Sequence, residues 1–151
     1  MTLPATDTTL TDSAARLRMA VVRTARRLRQ EAAGAVGELT PTCAAALATV
    51  ERHGPLTPSE LAEIERVKRP TATRTLGVLS EAGLVERAPD PSDGRSALVS
   101  ITAAGRDRLR RLRGRKNAYL ARRMRELPAD DLATLDRAAE ILEGILEEGR
   151  R

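Results

Sequence analysis

Two prolines at expected helix starts, Pro58 and Pro70, limit how the middle of this chain can fold. In the segment LTPSEL, Thr57 is placed as an N-cap, Pro58 at the first helical position, and Glu60 where it completes a capping box. The segment VKRP then ends that helix, because a residue before proline avoids the α conformation. We therefore expect Arg69 to be a non-helical entry residue and a second helix to begin at Pro70. Two helices joined by so short a turn predict a helix-turn-helix.

The second of these helices is followed by a segment that predicts a hairpin. Ala72, Leu76 and Leu79 recur at helical spacing and should face the core, and Gly83 is placed as the C-terminal cap. The segment ERAPDPSDGRSALVSIT, residues 86–102, then has two β-prone runs around a turn rich in Asp, Pro, Ser and Gly. A helix-turn-helix followed by a hairpin is a winged helix. The predicted fold is mainly α with a small β-hairpin wing (α+β).

Amphipathic helices are expected on both sides of this core. In the N-terminal segment, apolar residues at spacings of three and four form one stripe: Leu10, Ala14, Leu17, Val21, Ala25, Leu28 and Ala32. Gly34 and Gly37 should end this helix, and the next should run from its cap, Thr40, to His53. The last helix should open at LPADDL, with Pro128 in its first turn. Its apolar stripe is Leu132, Leu135, Ala139, Leu142 and Leu146.

A long helix should connect the wing to the last helix. Thr102 is placed as its N-cap, and Gly105 and Gly114 should weaken it locally. The two terminal stripes exceed what the middle of a small chain needs to cover, so we expect a homodimer built from the terminal helices. The predicted organisation is a single domain, 1–151, with a core at 38–103 and dimerisation helices at 10–37 and 104–148.

Composition limits which side chains can fill the core and which class of partner the chain can bind. The chain has no Trp, no Phe and a single Tyr119, so Leu, Val, Ile and Ala must fill the core, which favours closely packed helices. Twenty-six Lys and Arg oppose twenty-one Asp and Glu, for a formal net charge of +5. The basic residues are mostly Arg, which suits phosphate and base-edge contacts, so a polyanionic partner is expected.

The candidate DNA contacts lie in two places. At the start of the second helix of the helix-turn-helix they are Lys68, Arg69, Thr71, Thr73 and Arg74, since this end of the helix meets base edges in the major groove. At the hairpin tip, Arg95 is placed to enter the minor groove, with Asp93 holding its guanidinium. The simpler alternatives are a solvated helix face for the first group and a surface ion pair for the second.

These same residues resemble a known family. The segment from LTPSEL through DPSDGRSALVSITAAG, residues 56–105, is similar to the winged-helix core of the MarR family of bacterial and archaeal transcription regulators. The resemblance implies a homodimer that binds a pseudo-palindromic operator on double-stranded DNA, usually represses, and is often relieved by a small phenolic or other aromatic ligand. Two departures are the lost side-chain cap at VKRP and Gly77 inside the second helix, which should cost about 1 kcal/mol relative to Ala.

Other functions have less support in the sequence. A non-specific DNA-architectural or RNA-binding winged helix would also explain the charge. We expect no enzyme, because there is no phosphate-cradling glycine loop, nucleophile–base pairing or metal spacing. One His and one Cys predict no metal site or other cofactor and no disulfide. The basic run 106–125 fits either an exposed helix face or phosphate contact.

Three further expectations concern single residues and location. Cys43 lies among alanines and should be a buried small side chain, with a redox switch as the alternative. Tyr119 could pack in the dimer region or line a ligand cavity. The N-terminal segment lacks the order of a signal peptide, and no apolar run is long enough to span a bilayer, so a cytoplasmic protein without membrane contact is expected.

Overall fold

The structure, a computed structural model, describes residues 5–32 and 39–148. In chain order the elements are α1 (Ala5–Ala32), α2 (Pro41–His53), α3 (Pro58–Glu65), α4 (Arg69–Glu81), β1 (Val85–Pro89), β2 (Ala97–Ile101), α5 (Ala103–Met124) and α6 (Ala129–Glu148). The chain divides into two compact units, Met1–Lys116 and Asn117–Arg151, with the boundary inside α5. The prediction of a mainly helical winged-helix fold with one hairpin is confirmed.

The predicted capping box starts α3. The backbone N–H of Thr57 donates to the Glu60 carboxylate at 2.7 Å, and the N–H of Glu60 donates to the Thr57 hydroxyl at 3.2 Å. The bonds from the Thr57 backbone and side chain lower the pKa of the Glu60 carboxyl. After α3, Arg66 adopts a left-handed conformation with φ 53°, and the N–H of Val67 donates to the Ala62 carbonyl at 2.9 Å. These bonds turn the chain tightly into α4.

The start of α4 differs by one residue from the prediction. Arg69 is the first helical residue, and Lys68 is the extended N-cap, whose carbonyl accepts from the N–H groups of Thr71 and Ala72. The expectation of a non-helical Arg69 is therefore wrong. The first-turn N–H groups of a helix have no intrahelical acceptor, so Pro70, which lacks an N–H, is tolerated one residue inside the helix. The bias of a residue before proline against the α conformation therefore does not set where α4 begins.

Gly83 ends α4 as predicted. It has a left-handed φ of 69°, its N–H donates to the Ser80 carbonyl, and the N–H of Leu84 donates to the Leu79 carbonyl. This paired arrangement is the Schellman motif, in which glycine avoids the steric cost of the left-handed region. The chain leaves the helix directed into β1.

The wing is an antiparallel hairpin with a third short partner. Val85 pairs with Ile101 at its base and Pro89 pairs with Ala97 near its tip. Leu56, just before α3, forms an isolated bridge with Val99: the Leu56 N–H donates to the Val99 carbonyl at 3.1 Å, and the reverse bond is 2.8 Å. The sequence did not predict this bridge. It joins the hairpin directly to the start of the helix-turn-helix.

An aliphatic core fills the space between α2, α3, α4 and the hairpin. Its most deeply buried members are Leu47, Val50, Leu61, Leu76, Leu79 and Val99. The predicted inward positions of α4 are confirmed, because Ala72, Leu76 and Leu79 are all buried. Cys43 is a free, buried residue of the same cluster, as expected for a small apolar side chain.

The flanking helices follow the prediction with two differences. Pro128 lies one residue before α6, and its carbonyl accepts from the Leu132 N–H. Its predicted place in the first turn is therefore wrong by one position. α5 continues through Gly105 and Gly114 without a break. Thr40 caps α2 as expected, whereas Gly34 and Gly37 lie outside the described residues. No helix in the part of the chain that the structure describes is long and apolar enough to cross a bilayer.

Candidate nucleic-acid interface

The start of α4 presents a cluster of cations and short polar side chains to solvent. The exposed residues are Lys68, Arg69, Thr71, Thr73 and Arg74. Between residues 39 and 148, no ion pair neutralises Lys68, Arg69 or Arg74. The structure thus exposes all five predicted residues within the N-terminal turns of α4.

The outward face of α4 is defined by its helical period. Pro70, Arg74, Gly77 and Glu81 follow one another at spacings of three and four, on the side away from the buried stripe of α4. Cationic and neutral residues therefore occupy the first two turns of this face, and an acidic residue occupies its end. A polyanion would be attracted to the beginning of α4 and repelled at its end.

A buried threonine that the sequence analysis missed lies next to the exposed first turn of α4. Thr75 is 8% exposed, and its hydroxyl donates to the Thr71 carbonyl at 2.9 Å. Thr75 lies between outward and inward positions, so periodicity alone gave no reason to assign it to either. Its hydroxyl is satisfied within the helix, which allows the side chain to be buried without an unpaired polar group.

Two aspartates shape the tip of the wing. Asp90 accepts from the N–H and the hydroxyl of Ser92, at 2.9 Å and 2.7 Å, and its own N–H donates to the Ser96 carbonyl at 3.1 Å. The hydroxyl bond of Ser92, followed by its N–H bond, lowers the pKa of the Asp90 carboxyl. Asp90 is therefore an ionised acceptor at neutral pH that holds the turn in one shape.

Asp93 has a different contact from the expected one. Its carboxylate accepts from the backbone N–H of Arg95 at 3.0 Å, and no ion pair joins the two side chains in the described part of the wing. The acid fixes the backbone that carries Arg95 and leaves the guanidinium exposed to solvent. The expected bond between the Asp93 carboxylate and the Arg95 guanidinium is replaced by an Asx turn. A backbone N–H two residues ahead is the closest donor for so short a carboxylate side chain.

The base of the wing is joined tightly to both neighbouring helices. The Thr102 hydroxyl donates to the Gly83 carbonyl at 2.7 Å and accepts from the Gly105 N–H at 3.1 Å, which confirms Thr102 as the cap of α5. A Cβ added at Gly105 would lie 2.2 Å from the Leu84 carbonyl oxygen. Gly105 thus permits a close approach of α5 to the end of α4, a role that helix propensity did not reveal.

The basic run of α5 is partly used within the chain. Arg113 pairs with Glu51 at 2.5 Å, Arg110 pairs with Asp107, and Arg115 donates to the Ala32 carbonyl at 3.3 Å. Farther along, Arg122 and Arg123 lie 5.8 Å and 5.7 Å from the centroid of the Tyr119 ring. These contacts favour a structural role for much of the run over a continuous phosphate-binding face.

A cavity of about 550 Å³ lies between α1, α2 and the first half of α5. Its lining is aliphatic: Ala25, Leu28, Ala32, Leu39, Pro41, Ala44, Ala45, Ala48, Leu109 and Leu112. Arg29, Arg113 and Lys116 add three cationic side chains. The cavity contains no aromatic side chain, in keeping with the composition. Among residues 5–32 and 39–148, no group of three or more His, Cys, Asp or Glu could hold a metal ion.

Comparison with known proteins gives a consistent result. The family model described as the MarR family matches residues 38–96. An HTH-type transcriptional regulator of Mycobacterium tuberculosis is 34% identical over 132 residues, which cover 87% of this chain and 91% of the relative. The multiple antibiotic resistance protein MarR of Salmonella typhimurium is 32% identical over 100 residues, covering 66% and 69%.

A solved structure extends the similarity to the fold. A crystal structure from Pseudomonas aeruginosa, described as a transcriptional regulator protein, has a TM-score of 0.80 and 31% sequence identity, and the match covers 95% of this chain and 98% of that one. The similarity therefore includes the flanking helices as well as the helix-turn-helix and wing. The matched family segment, 38–96, contains every residue proposed from the sequence as a DNA contact.

Proposed function

The chain belongs to the MarR family of DNA-binding transcription regulators, and from this premise we propose that it is a dimeric repressor of a pseudo-palindromic operator. The observation that carries the proposal is the exposed, unpaired cationic start of α4, joined to a wing that carries Arg95 at its tip. The relatives are transcription regulators, so we propose no enzymatic reaction. We place its action in the cytoplasm, where bacterial DNA lies.

In this proposal α4 contacts base edges in the major groove. Arg69 and Arg74 are the long donors, and Thr71 and Thr73 are short ones that reach bases only where the helix lies close to them. Lys68, at the N-cap, is placed to contact phosphate. Contacts to phosphate position the protein, whereas contacts to base edges select the sequence.

The wing supplies a second contact in the same proposal. Arg95 is presented by a turn whose backbone Asp90 and Asp93 hold in place, so little backbone freedom of the turn is lost on binding. The narrow minor groove concentrates negative potential and attracts an exposed guanidinium. Asp93 contributes by positioning the backbone of Arg95.

The third part of the proposed function is dimerisation through the terminal helices. On α1, the side chains of Leu10, Leu17 and Val21 are exposed in the single chain, and on α6 those of Leu135, Ile145 and Leu146 are exposed. Large exposed apolar side chains on α1, and others on α6, each indicate a surface that a partner covers. A second copy of the chain fits best, because a two-fold dimer would match a two-fold operator.

The cavity between α1, α2 and α5 is the proposed site of a ligand that relieves binding. Its volume is within the range of about 300 to 1,000 Å³ that is usual for small-molecule sites. Aliphatic walls with Arg29 and Lys116, beside an Arg113 that pairs with Glu51, favour an apolar molecule that carries an anionic group. A medium-chain carboxylate therefore fits better than the aromatic ligands implied by the family resemblance.

Selection of DNA from a random-sequence duplex pool tests the main proposal. The purified full chain should enrich one pseudo-palindromic sequence and prefer it over random duplex by roughly a thousand-fold or more at physiological salt. Enrichment of no sequence, with similar affinity for all duplexes, would favour the architectural alternative. Tighter binding to a structured RNA pool would favour the RNA-binding alternative.

The ligand part has its own test, with decanoate and salicylate as probes. Decanoate should raise the Tm of the protein and weaken binding to the selected duplex, with a smaller effect of salicylate. Ala45→Leu, which narrows the cavity, should remove both effects of decanoate. Equal responses of the parent and Ala45→Leu proteins would show that decanoate acts elsewhere.

A further inference from the structure

Gly77 lies inside α4 on its outward face. It follows Arg74 by one turn and precedes Glu81 by one turn, is partly exposed, and lies on the side of α4 away from the buried stripe of Ala72, Leu76 and Leu79. A glycine in a helix interior destabilises the helix relative to alanine, because it loses more backbone freedom on folding. Gly114 and Gly144 also lie inside helices, but Gly77 alone of the three lies on the face of α4 that carries Arg74.

Close packing within the chain does not account for Gly77. At Gly105 an added Cβ would lie 2.2 Å from the Leu84 carbonyl oxygen, and at Gly54 it would lie 2.5 Å from the Val50 carbonyl oxygen. At Gly77 an added Cβ would meet nothing within 4 Å, and the residue has no left-handed φ. Nothing in the described part of the chain requires a glycine there.

We propose that DNA imposes this requirement: Gly77 is the position at which the backbone of α4 lies against the bases of the major groove, too close for a side chain. The inference rests on the proposed function of α4. The major groove is about 12 Å wide, and a helix with its side chains is about 10 to 12 Å in diameter, so one bare position lets the helix axis move closer to the bases.

The neighbouring residues fit such a close approach. Thr71 and Thr73 are short, so they contact bases only if the helix lies deep in the groove. Glu81 lies one turn beyond Gly77 on the same face and would be repelled by phosphates. The contact surface of α4 therefore begins at Lys68 and ends at Gly77.

The test uses Gly77→Ala and Gly77→Leu in the full chain, with the duplex selected by the parent protein as the probe. Gly77→Ala should raise the Tm by about 2 to 4 °C, since alanine is the better helix former. The same variant should raise the dissociation constant for the selected duplex about tenfold or more, and Gly77→Leu should raise it further. Binding to random duplex should change much less.

Gly114→Ala is the matched control, because Gly114 is also inside a helix and its added Cβ also meets nothing within 4 Å. It should raise the Tm in the same way and leave DNA affinity unchanged. Arg74→Ala, measured in parallel, distinguishes failure of the Gly77 proposal from failure of the proposed function of α4. If Arg74→Ala loses affinity and Gly77→Ala binds as tightly as the parent, the proposal for Gly77 is wrong. If neither variant loses affinity, the proposed function of α4 is wrong as well.

Discussion

In the wing, two short acidic residues order the backbone of the turn that carries the long basic side chain of Arg95. Asp90 and Asp93 each accept from a backbone N–H two residues ahead, at 2.9 Å and 3.0 Å. Both use the Asx geometry that shapes turns, and neither is used to neutralise Arg95. The residue types were sufficient to predict a turn with an arginine at its tip. The choice between a backbone and a guanidinium donor depends on local distances, which the sequence does not contain.

Arg95→Ala should weaken binding to the selected duplex by about 1 to 3 kcal/mol, because it removes the proposed groove contact. Asp93→Ala should weaken binding by less, since Arg95 keeps its charge and only the order of its backbone is lost. Arg95→Lys should recover only part of the affinity that Arg95→Ala loses. Lysine keeps the positive charge, but its ammonium is more strongly hydrated than a guanidinium and loses its water at greater cost. Fluorescence anisotropy at physiological salt measures all three. An Arg95→Ala protein with the parent's affinity would show that the wing does not contribute to DNA binding.

Arg74→Ala should reduce sequence preference more than overall affinity. A contact to a base edge is worth about 1 to 3 kcal/mol of discrimination, so the selected duplex should lose more affinity than random duplex. The ratio of the two dissociation constants, measured at several salt concentrations, reports this directly. Equal losses on both duplexes, with a salt slope reduced by about one, would assign Arg74 to phosphate instead.

At the scale of elements, the wing, α4 and α5 are coupled at one junction. Thr102 bonds to Gly83 at the end of α4 and to Gly105 in α5, and Gly105 lets the α5 backbone approach Leu84. The helix starts and the hairpin could be predicted, because capping residues, prolines and turn formers act locally. The role of Gly105 could not, because its neighbours Leu84 and Ile101 are brought to it by tertiary packing.

Gly105→Ala should therefore destabilise the protein even though alanine favours helix. The new methyl group would meet the Leu84 carbonyl and the Ile101 side chain, and such overpacking costs about 1 to 3 kcal/mol. Thermal or denaturant unfolding measures the loss, and Gly114→Ala, in the same helix with open space around it, should instead be mildly stabilising. An unchanged or raised stability for Gly105→Ala would mean that α5 does not approach Leu84 so closely.

For the whole molecule, the chain has more apolar helix surface than its own core covers. The stripe of α1 divides in two: Ala25, Leu28 and Ala32 line the cavity, whereas Leu10 and Leu17 remain exposed. The sequence predicted the stripe as one surface, because periodicity gives the face of a helix without its neighbours. An exposed apolar stripe on α1 and another on α6 are what a dimer interface would cover.

Leu135→Asp tests this assembly. Leu135 is 44% exposed on α6, and a carboxylate buried there in the proposed interface would lie among apolar side chains. We expect the dimer dissociation constant to rise on the order of 100-fold or more, which corresponds to about 2.7 kcal/mol. Ile64→Asp is the control, since Ile64 is also 44% exposed but lies on α3. Light scattering over a dilution series should give twice the monomer mass for the parent and the control, and a falling mass for Leu135→Asp. A parent chain that stays folded and monomeric at micromolar concentration would overturn the dimer and, with it, the two-fold symmetry expected of the operator.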